Sequence, residues 1–296
     1  MKKFAVASIS ALVIGTGAAF AADLPVKAPP PPVAPSYSWT GFYVGANAGY
    51  AWGHSSSNSS SDCPASGAVR LGYWCDATFF PTGAPNSAIV GAQGTGPFSS
   101  SGFVGGGQAG YNWQRGPWVV GGEVDIQSFN LSGSRTGGAL YPVAGAGASF
   151  VETTTASTNW LLTARARAGW TFKNALLYVT GGLAVTDLRT GFNFVDNTST
   201  LFGLPTNGTG SASSTVDKVG YAVGAGAEWM LPRNWSIKAE YLYVNFGSVQ
   251  VATRVTNPTF GGVGASNTVT TSANLSAQIA RVGVNYHFGG PVVAKY

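Results

Sequence analysis

The segment 280–288 near the C-terminus alternates strictly between two kinds of side chain. Val282, Val284, Tyr286 and Phe288 fall on one side, and the residues between them are polar or small. A helix would scatter these apolar residues around its circumference, whereas a strand lines up every second side chain on one face. One face suits lipid and the other suits water, so the pattern predicts the last strand of a transmembrane β-barrel.

Seven further segments show the same period of two, which brings the predicted number of strands to eight. Most of them carry apolar residues on one face and polar, charged or small residues on the other. One segment, about 176–188, is apolar on both faces, and its orientation stays open. The other six segments are 42–52, 103–113, 118–127, 160–172, 219–231 and 235–243.

The connections between these segments alternate in length, which indicates the topology. Three are tight turns, at residues 115–117, 173–175 and 232–234. Four are long and rich in Ser, Thr, Asn and Gly, and they are predicted to be loops: about 55–101, 130–157, 190–215 and 247–272. An even number of strands with this alternation predicts an all-β, antiparallel, up-and-down transmembrane barrel with short periplasmic turns, long extracellular loops and periplasmic termini.

A soluble sandwich or a lipocalin-like barrel could show the same alternation with its apolar face inward. Lipid on the outside is favoured because charged residues make up only 9% of the chain, against about 25% in soluble domains. Trp and Tyr also concentrate near strand ends on the apolar face, where they would form girdles at the two membrane surfaces. The predicted interfacial tryptophans are Trp52, Trp113, Trp118, Trp160, Trp170, Trp229 and Trp235.

The N-terminus has the three parts of a secretory signal peptide. Lys2 and Lys3 precede an apolar run, which ends in small residues that predict cleavage after Ala21. The run is too short and too rich in Ala and Gly to favour a retained membrane anchor. The predicted organisation is a signal peptide over 1–21, a Pro-rich periplasmic leader over 22–38, the barrel over 39–288 and a tail over 289–296.

The polar faces of the strands carry ionisable residues of both signs in equal number. Isolated charges in a narrow interior would each cost several kcal/mol, so the residues must pair with one another. Eight strands leave an interior only just wide enough for side chains, which favours a packed ionic plug over a gated ion path. The residues predicted to form this network are Glu123, Asp125, Arg165, Arg167, Glu228, Lys238, Glu240 and Arg281.

Candidates for chemistry are few. Cys63 and Cys75 are the only cysteines of an exported chain and predict one disulfide rather than a metal site. His54 and His287 are predicted to lie far apart, so no general-base constellation forms and an enzyme is not expected. A haem ligated by His54 is the weaker alternative to a solvated histidine, and no cofactor is expected. Loss of Lys2 and Lys3 lowers the formal net charge from +5 to +3, and the dispersed basic residues do not favour nucleic-acid binding.

Two motifs, residues 39–50 directly after the Pro-rich leader and residues 282–288, resemble the alphaproteobacterial outer membrane protein family with an OmpA-like barrel domain. The resemblance covers essentially the whole mature chain. It implies insertion by the outer-membrane assembly machinery, which recognises a terminal aromatic strand, with Tyr286 and Phe288 as that signal. The tail departs from the usual family ending, and Tyr296 at its end is the alternative aromatic.

The sequence therefore predicts a protein of the outer membrane with a structural and surface-exposed role in the envelope, in contact with lipid and with the assembly machinery. A small-solute porin is the competing function, and a haem-binding surface protein is the weaker third one. The Ser- and Asn-rich external loops do not identify a surface partner.

Overall fold

The computed structural model describes residues 38–62, 84–142, 147–201, 203, 206–257 and 266–288. The predicted signal peptide, nearly all of the predicted leader, both cysteines and the C-terminal tail lie outside the described residues. Within the described ranges, neither helix has the length and apolar character needed to cross a membrane.

Ten antiparallel strands and two short helices make up the described chain. The strands are β1 (Gly41–Ser61), β2 (Gly96–Arg115), β3 (Trp118–Phe129), β4 (Ser132–Leu140), β5 (Ser149–Ser157), β6 (Trp160–Phe172), β7 (Ala175–Asp196), β8 (Thr209–Met230), β9 (Trp235–Thr256) and β10 (Ser266–His287). The helices are α1 (Ala84–Gly94) and α2 (Thr198–Leu201).

Eight of the strands close into a ring, in the order β1-β2-β3-β6-β7-β8-β9-β10, and β10 pairs back onto β1. Every segment with a period of two matches one of these eight strands, and none extends more than one residue beyond its strand. The predicted eight-stranded barrel is therefore confirmed. The register of β1 against β10 runs from Tyr43 opposite His287 to Ser61 opposite Val269. The ring is closed by hydrogen bonds in the half near the short turns, which leaves no free edge there. Beyond Tyr221 and Asn245, β8 and β9 pair again only at Thr209 and Thr256.

Strands β4 and β5 continue β3 and β6 beyond Phe129 after a short break. Ser132 of β4 pairs with Ser101 of β2, and Ser157 of β5 pairs with Arg189 of β7. The wall therefore continues upward with β4 and β5 in the places of β3 and β6. We call this upper part, where the chain forms β4 and β5 and the distal halves of the longer strands, the extension.

The expectation that the four long connections are loops was wrong, because much of each is strand in the extension. β1 runs to Ser61 and β9 to Thr256, well past the predicted strand ends. The outward residues of these stretches are largely Ser and Thr, which resemble loop composition. Their inward residues are often apolar and pack inside the extension, as Val255 and Val269 do.

The three tight turns are confirmed and define one end of the barrel, here called the turn end. They connect β2 to β3, β6 to β7, and β8 to β9. Each contains a residue in the left-handed region, with φ of 58° at Gly116, 56° at Lys173, 63° at Arg233 and 64° at Asn234. The opposite end carries the extension and α1.

The polarity of the inner and outer faces of the wall differs between the two halves of the barrel. In the half of the barrel that begins at the turn end, the outward residues include large apolar ones such as Phe103, Ile126 and Val179, and many of the inward ones are polar. In the extension, the outward residues are mostly polar and the inward ones include Phe150 and Phe194. The half with apolar outward residues is called the lipid-facing band below.

Strand β7 shows why one segment is apolar on both faces. Leu177, Val179 and Leu183 are exposed on the outer wall, whereas Leu176 and Leu188 are fully buried inside. Leu176 packs in an apolar cluster at the turn end, and Leu188 packs in the main apolar cluster, which lies farther from that end. The strand thus serves lipid on one side and two interior clusters on the other.

Candidate functional site in the barrel interior

The eight ionisable residues predicted to face inward all do so, and they come together at one level of the lipid-facing band. Period-two alternation sends every second side chain of each strand into the ring. All eight are at most 5% exposed. They are Glu123 and Asp125 of β3, Arg165 and Arg167 of β6, Glu228 of β8, Lys238 and Glu240 of β9, and Arg281 of β10.

Two arginines bridge three carboxylates at the centre of this layer. Arg165 Nη2 lies 2.7 Å from both Glu123 Oε1 and Asp125 Oδ2, and its Nη1 lies 3.1 Å from Glu240 Oε1. Arg281 approaches from the opposite wall, with Nη2 2.5 Å from Glu240 Oε2 and Nη1 3.1 Å from Asp125 Oδ1. Each guanidinium therefore has at least two carboxylate partners.

The remaining basic residues extend the network toward the turn end. Lys238 Nζ lies 2.9 Å from Glu123 Oε2, and Arg167 Nη2 lies 2.7 Å from Glu228 Oε2. The side chains in these ion pairs are between 0% and 3% exposed. We call the eight residues together the ionic layer.

Two buried tyrosines donate hydrogen bonds to the ionic layer, although charge alone does not identify them. The Tyr43 hydroxyl donates to Glu123 Oε2 at 2.8 Å and accepts from Arg167 Nη1 at 2.9 Å. The Tyr178 hydroxyl donates to Glu240 Oε1 at 3.0 Å. The signal available in the sequence was strand parity, because Tyr43 lies on the face opposite Phe42 and Val44.

A chain of amides crosses from β1 to β8 beside the ionic layer. Asn47 Nδ2 donates to Gln108 Oε1 at 2.5 Å, and Gln108 Nε2 donates to Asn285 Oδ1 at 2.6 Å. Asn285 Nδ2 then donates to Glu228 Oε1 at 2.7 Å. These hydrogen bonds connect β1, β2 and β10 to Glu228 of the ionic layer.

The turn end is closed by aromatic and hydrogen-bonded side chains. Trp39 is 1% exposed, and its ring meets the edge of the His287 ring with centroids 5.7 Å apart. The backbone N–H of Trp39 donates to Gln114 Oε1 at 2.8 Å. Trp39 also packs with Val119 and other apolar residues in the cluster below the ionic layer.

Ser236, His287 and Glu228 form a compact group beside this closure. Ser236 Oγ donates to Glu228 Oε1 at 2.6 Å and lies 3.0 Å from His287 Nε2. The group combines the residue types of a hydrolase site, but the serine is fully buried and its proton is directed at the carboxylate. A substrate cannot reach the hydroxyl, so this arrangement positions side chains rather than performing nucleophilic attack.

The opposite end is filled by apolar side chains beneath α1. A first cluster, which includes Phe129, Leu242 and Ile279, lies above the ionic layer. A second cluster follows in the extension, where Val90 of α1 packs with residues such as Phe194. The interior is therefore layered: an apolar cluster at the turn end, the ionic layer, and apolar clusters below a helix.

One acid is buried in the extension without a hydrogen-bonding partner. Glu152 of β5 is 1% exposed, and neither carboxylate oxygen accepts a hydrogen bond. Burial raises the pKa of Glu152 to about 8, and the positive charge of Arg135 opposes part of that rise. Arg135 itself donates to the carbonyl of Gln93 in α1 at 3.3 Å.

His54 lies within β1 and not at the start of a loop, which corrects the predicted position. Its side chain is exposed on the outer wall. With Ser55, Pro97 and Asn274 it lines an open depression of about 510 Å³. Haem sites are enclosed and mostly apolar, which this depression is not. His287 pairs with Tyr43, at the other end of the band.

The predicted interfacial tryptophans lie at the two edges of the lipid-facing band. Those at the turn end are between 45% and 60% exposed, and the rings of Trp118 and Trp170 meet edge to face at 4.6 Å. Trp160 and Trp170 lie at opposite ends of β6, ten residues apart. At about 3.3 Å per residue and a tilt near 45°, that spacing corresponds to about 25 Å of membrane. The turn-end group is Trp113, Trp118, Trp170, Trp229 and Trp235, and the opposite group is Trp52 and Trp160.

The predicted assembly aromatics lie on the outer wall at the turn end. The Tyr286 ring packs against the Trp235 ring with centroids 5.3 Å apart, and Phe288 is 62% exposed. The Phe288 N–H still donates to the Phe42 carbonyl at 2.9 Å, so the chain remains paired up to this residue. Tyr296, the alternative, lies outside the described residues.

Comparison with known proteins agrees with this geometry. A family model described as "Outer membrane protein beta-barrel domain" matches residues 9–288. The "31 kDa outer-membrane immunogenic protein" of Brucella melitensis is 34% identical over 296 residues, which cover 97% of this chain and 100% of that protein. The "22 kDa outer membrane protein" of Rhizobium leguminosarum bv. viciae is 30% identical over 175 residues, which cover 57% of this chain and 67% of that protein.

Among solved structures, the outer membrane protein OprG from Pseudomonas aeruginosa aligns over 86% of this chain and 100% of its own. The TM-score is 0.39 and the identity is 10%. A similarity at that level adds nothing to the fold described above, which rests on the closed ring of eight strands.

Proposed function

The chain belongs to the outer membrane protein β-barrel domain family, and on that premise we propose that it acts as a closed structural barrel of the outer membrane rather than as a pore. Its lipid-facing band anchors it, its interior is occupied by side chains, and its extension presents a polar surface beyond the membrane. The role is mechanical and interfacial, and no catalytic role is assigned.

The ionic layer is the observation that carries this proposal. Its ion-paired side chains are between 0% and 3% exposed, so water does not reach them from either end. Water-filled porins use about 16 or more strands, whereas eight strands leave room only for side chains. The apolar clusters above and below the layer add two further barriers to ions.

Planar-bilayer recording tests the proposal. The purified full chain should insert without stable stepwise currents, because no hydrated path crosses the ionic layer. The charge-neutral double variant Glu240→Ala/Arg281→Ala removes one central pair and should admit water and small conductance steps. The matched charge-neutral control is Arg189→Ala/Asp217→Ala, which removes one exposed base and one exposed acid of the extension and should stay silent.

Stable steps from the unaltered protein would reject the closed barrel and support the small-solute porin. If neither double variant gave currents, the ionic layer would not be the barrier to ions. The apolar clusters between the ionic layer and α1 would then be that barrier.

We propose further that the extension faces the cell exterior and the turn end faces the periplasm, after export with signal cleavage at Ala21. This orientation follows the layout of bacterial barrels, in which the short turns are periplasmic. The relative from Brucella melitensis is named as immunogenic. An outward extension with a Ser- and Thr-rich surface is the part of this chain that antibodies or host surfaces would meet.

Epitope insertion on intact cells tests the orientation. Gly203 lies between α2 and β8, and Gly116 lies in a tight turn; both have positive φ and open space around the Cα. An epitope after Gly203 should label intact cells, and the matched epitope after Gly116 should label only permeabilised cells. The reverse pattern would invert the proposed orientation.

A further inference from the structure

Each of the three tight turns carries one exposed basic side chain. Arg115 ends β2, Lys173 lies in the β6–β7 turn, and Arg233 lies in the β8–β9 turn. Among the residues that the structure describes, no Asp or Glu is exposed at this end, because the nearest acids are buried in the ionic layer. The described part of the turn end therefore presents only positively charged side chains at its surface.

Hydrogen bonds join these three turns into one continuous arc. The Thr171 N–H donates to the Pro117 carbonyl at 2.7 Å, which ties the β6–β7 turn to the β2–β3 turn. The Met230 N–H donates to the Asn174 carbonyl at 2.8 Å, and Asn174 Nδ2 donates to the Met230 carbonyl at 3.2 Å. The second tie links the β6–β7 turn to the β8–β9 turn. We call Arg115, Lys173 and Arg233 the basic arc.

The turns are too short to carry the basic arc out of the membrane interface. Trp118 begins β3 two residues after Gly116, and Trp235 directly follows the β8–β9 turn. Phe172, beside Lys173, is 67% exposed. At about 3.3 Å per residue, each basic Cα lies within about 10 Å of the tryptophan girdle, which marks the depth of lipid headgroups. Arg and Lys extend their charged ends to that depth.

Two of the three basic residues occupy backbone positions that favour glycine. Lys173 has φ of 56° and Arg233 has φ of 63°. A non-glycine residue in the left-handed region is strained, because its Cβ comes close to the following carbonyl oxygen. In the first turn, the residue with the corresponding backbone conformation is a glycine, Gly116, with φ of 58°. The structure thus keeps two cations where glycine would be less strained.

From this arc we propose that the turn end binds the phosphate groups of anionic phospholipids in the adjacent leaflet. The inference rests on the proposed function, because it needs the band to lie in lipid with the turns at the headgroups. Each Lys or Arg close to an anionic membrane surface strengthens binding about fivefold. Three such residues on neighbouring hairpins would enrich anionic lipid along one side of the barrel.

Fluorescence of the girdle tryptophans provides the test. The full-length protein is reconstituted in mixtures of brominated phosphatidylglycerol and phosphatidylcholine, and the reverse, so that quenching reports which lipid contacts the wall. The unaltered protein should prefer phosphatidylglycerol at least threefold at low salt. Arg115→Gln/Lys173→Gln/Arg233→Gln should bring the preference close to one, and salt should weaken it in the unaltered protein.

A control of equal net charge separates the arc from general electrostatics. Arg189→Gln/Lys218→Gln/Arg254→Gln removes three basic residues from the extension and should retain the preference. Arg115→Lys/Arg233→Lys keeps the charges and should also retain it. Equal loss in the extension variant, or an unchanged preference in the arc variant, overturns the proposal.

Correct insertion of every variant is checked by heat-dependent gel mobility, and single substitutions carry the test if the triple variant does not insert. Bilayer conductance is measured on the same samples. Currents from the unaltered protein together with a clear lipid preference would reject the closed barrel alone. An unaltered protein that gives no currents and shows no lipid preference would reject the lipid inference alone.

Discussion

At the scale of single residues, stability depends on whether each buried charge keeps its partners. Arg165 and Arg281 share the three acids Glu123, Asp125 and Glu240. Removal of one partner leaves the others desolvated and unpaired, which costs more than the pair contributes when intact. Removal of one charged partner should therefore lower the free energy of unfolding more than the charge-neutral replacement of both members of an ion pair.

Glu240→Gln tests that sensitivity. The substitution leaves Arg165 and Arg281 each without one charged partner, so we expect a loss of about 3–5 kcal/mol in the free energy of unfolding. Urea unfolding in detergent or lipid measures the change. Asp217→Asn, which removes an exposed acid of β8, should change stability by less than about 0.5 kcal/mol. Equal stability in both variants would contradict the ionic layer.

Glycine makes room for the large polar side chains of the interior. A Cβ at Gly110 would meet the ring and hydroxyl of Tyr43, and one at Gly226 would meet those of Tyr178. Gly107 lies on the outward face of the same strand as Gly110, and a Cβ there would have only an ordinary backbone contact at 3.7 Å. An added Cβ should therefore cause a clash at the inward Gly110 and only ordinary contact at the outward Gly107.

Gly110→Ala should lower the free energy of unfolding by about 1–3 kcal/mol, because overpacking displaces Tyr43 from Glu123 and Arg167. Gly107→Ala is the matched control and should be neutral or slightly stabilising. Denaturant titration of both variants checks the difference. A Gly110→Ala variant as stable as the control would show that the Tyr43 ring can move freely.

At the scale of elements, α1 closes the extension over a buried acid. Glu152 lies beneath this helix, and Arg135 of β4 contacts the helix carbonyl of Gln93. The carboxylate is desolvated without a hydrogen bond, so its neutral form suits the folded state better than its charged form. The stability of the packing of α1 over Glu152 should therefore depend on pH. This dependence arises from Glu152 and not from the ion pairs of the lipid-facing band.

The direction of that dependence follows from the raised pKa. Glu152 ionises near 4.5 in the unfolded chain and near 8 in the folded one. Stability is therefore full below pH 4.5, falls by up to about 1.4 kcal/mol per pH unit as pH rises toward 8, and stays level above. Hydrogen exchange of α1 between pH 5 and 8 measures this fall. Glu152→Gln should flatten it and Asp217→Asn should not; equal slopes in all three proteins would contradict the assignment.

At the scale of the whole molecule, the exchange of polar and apolar faces marks the edge of the membrane. The same strands are apolar outside in the band and polar outside in the extension, and β9 passes from one to the other through a bulge at Gly247, where its inward parity changes. Lipid favours the first arrangement and water the second. Within the described residues, the two halves of the barrel therefore suit two different solvents.

Val124→Arg tests the position of the band. Val124 is 51% exposed and pairs with Ala164, midway between Trp160 and Trp170. An arginine at the midplane should destabilise the barrel in lipid by about 2–4 kcal/mol. Ser134→Arg on the outer wall of the extension should cost almost nothing. Unfolding from vesicles compares the two, and equal costs would place both residues in the same solvent.

Much of the fold and part of the interior site followed from the sequence alone. Period-two alternation identified all eight ring strands, and tight turns such as Arg115–Pro117 identified their connections. Strand parity also placed the eight ionisable residues inside, since a single inward assignment applies to a whole strand. These features are local, so they can be predicted without knowing which distant residues they contact.

Other features were decided only by the tertiary structure. The long polar stretches became strands because the ring continues them and apolar residues such as Phe194 pack inside, which no local composition reveals. Tyr43 joined Glu123 to Arg167 across the barrel, at a sequence separation of 80 and 124 residues. The sequence determined which face each side chain occupies, and closure of the ring determined what it meets there, because partners come from strands far apart in the chain.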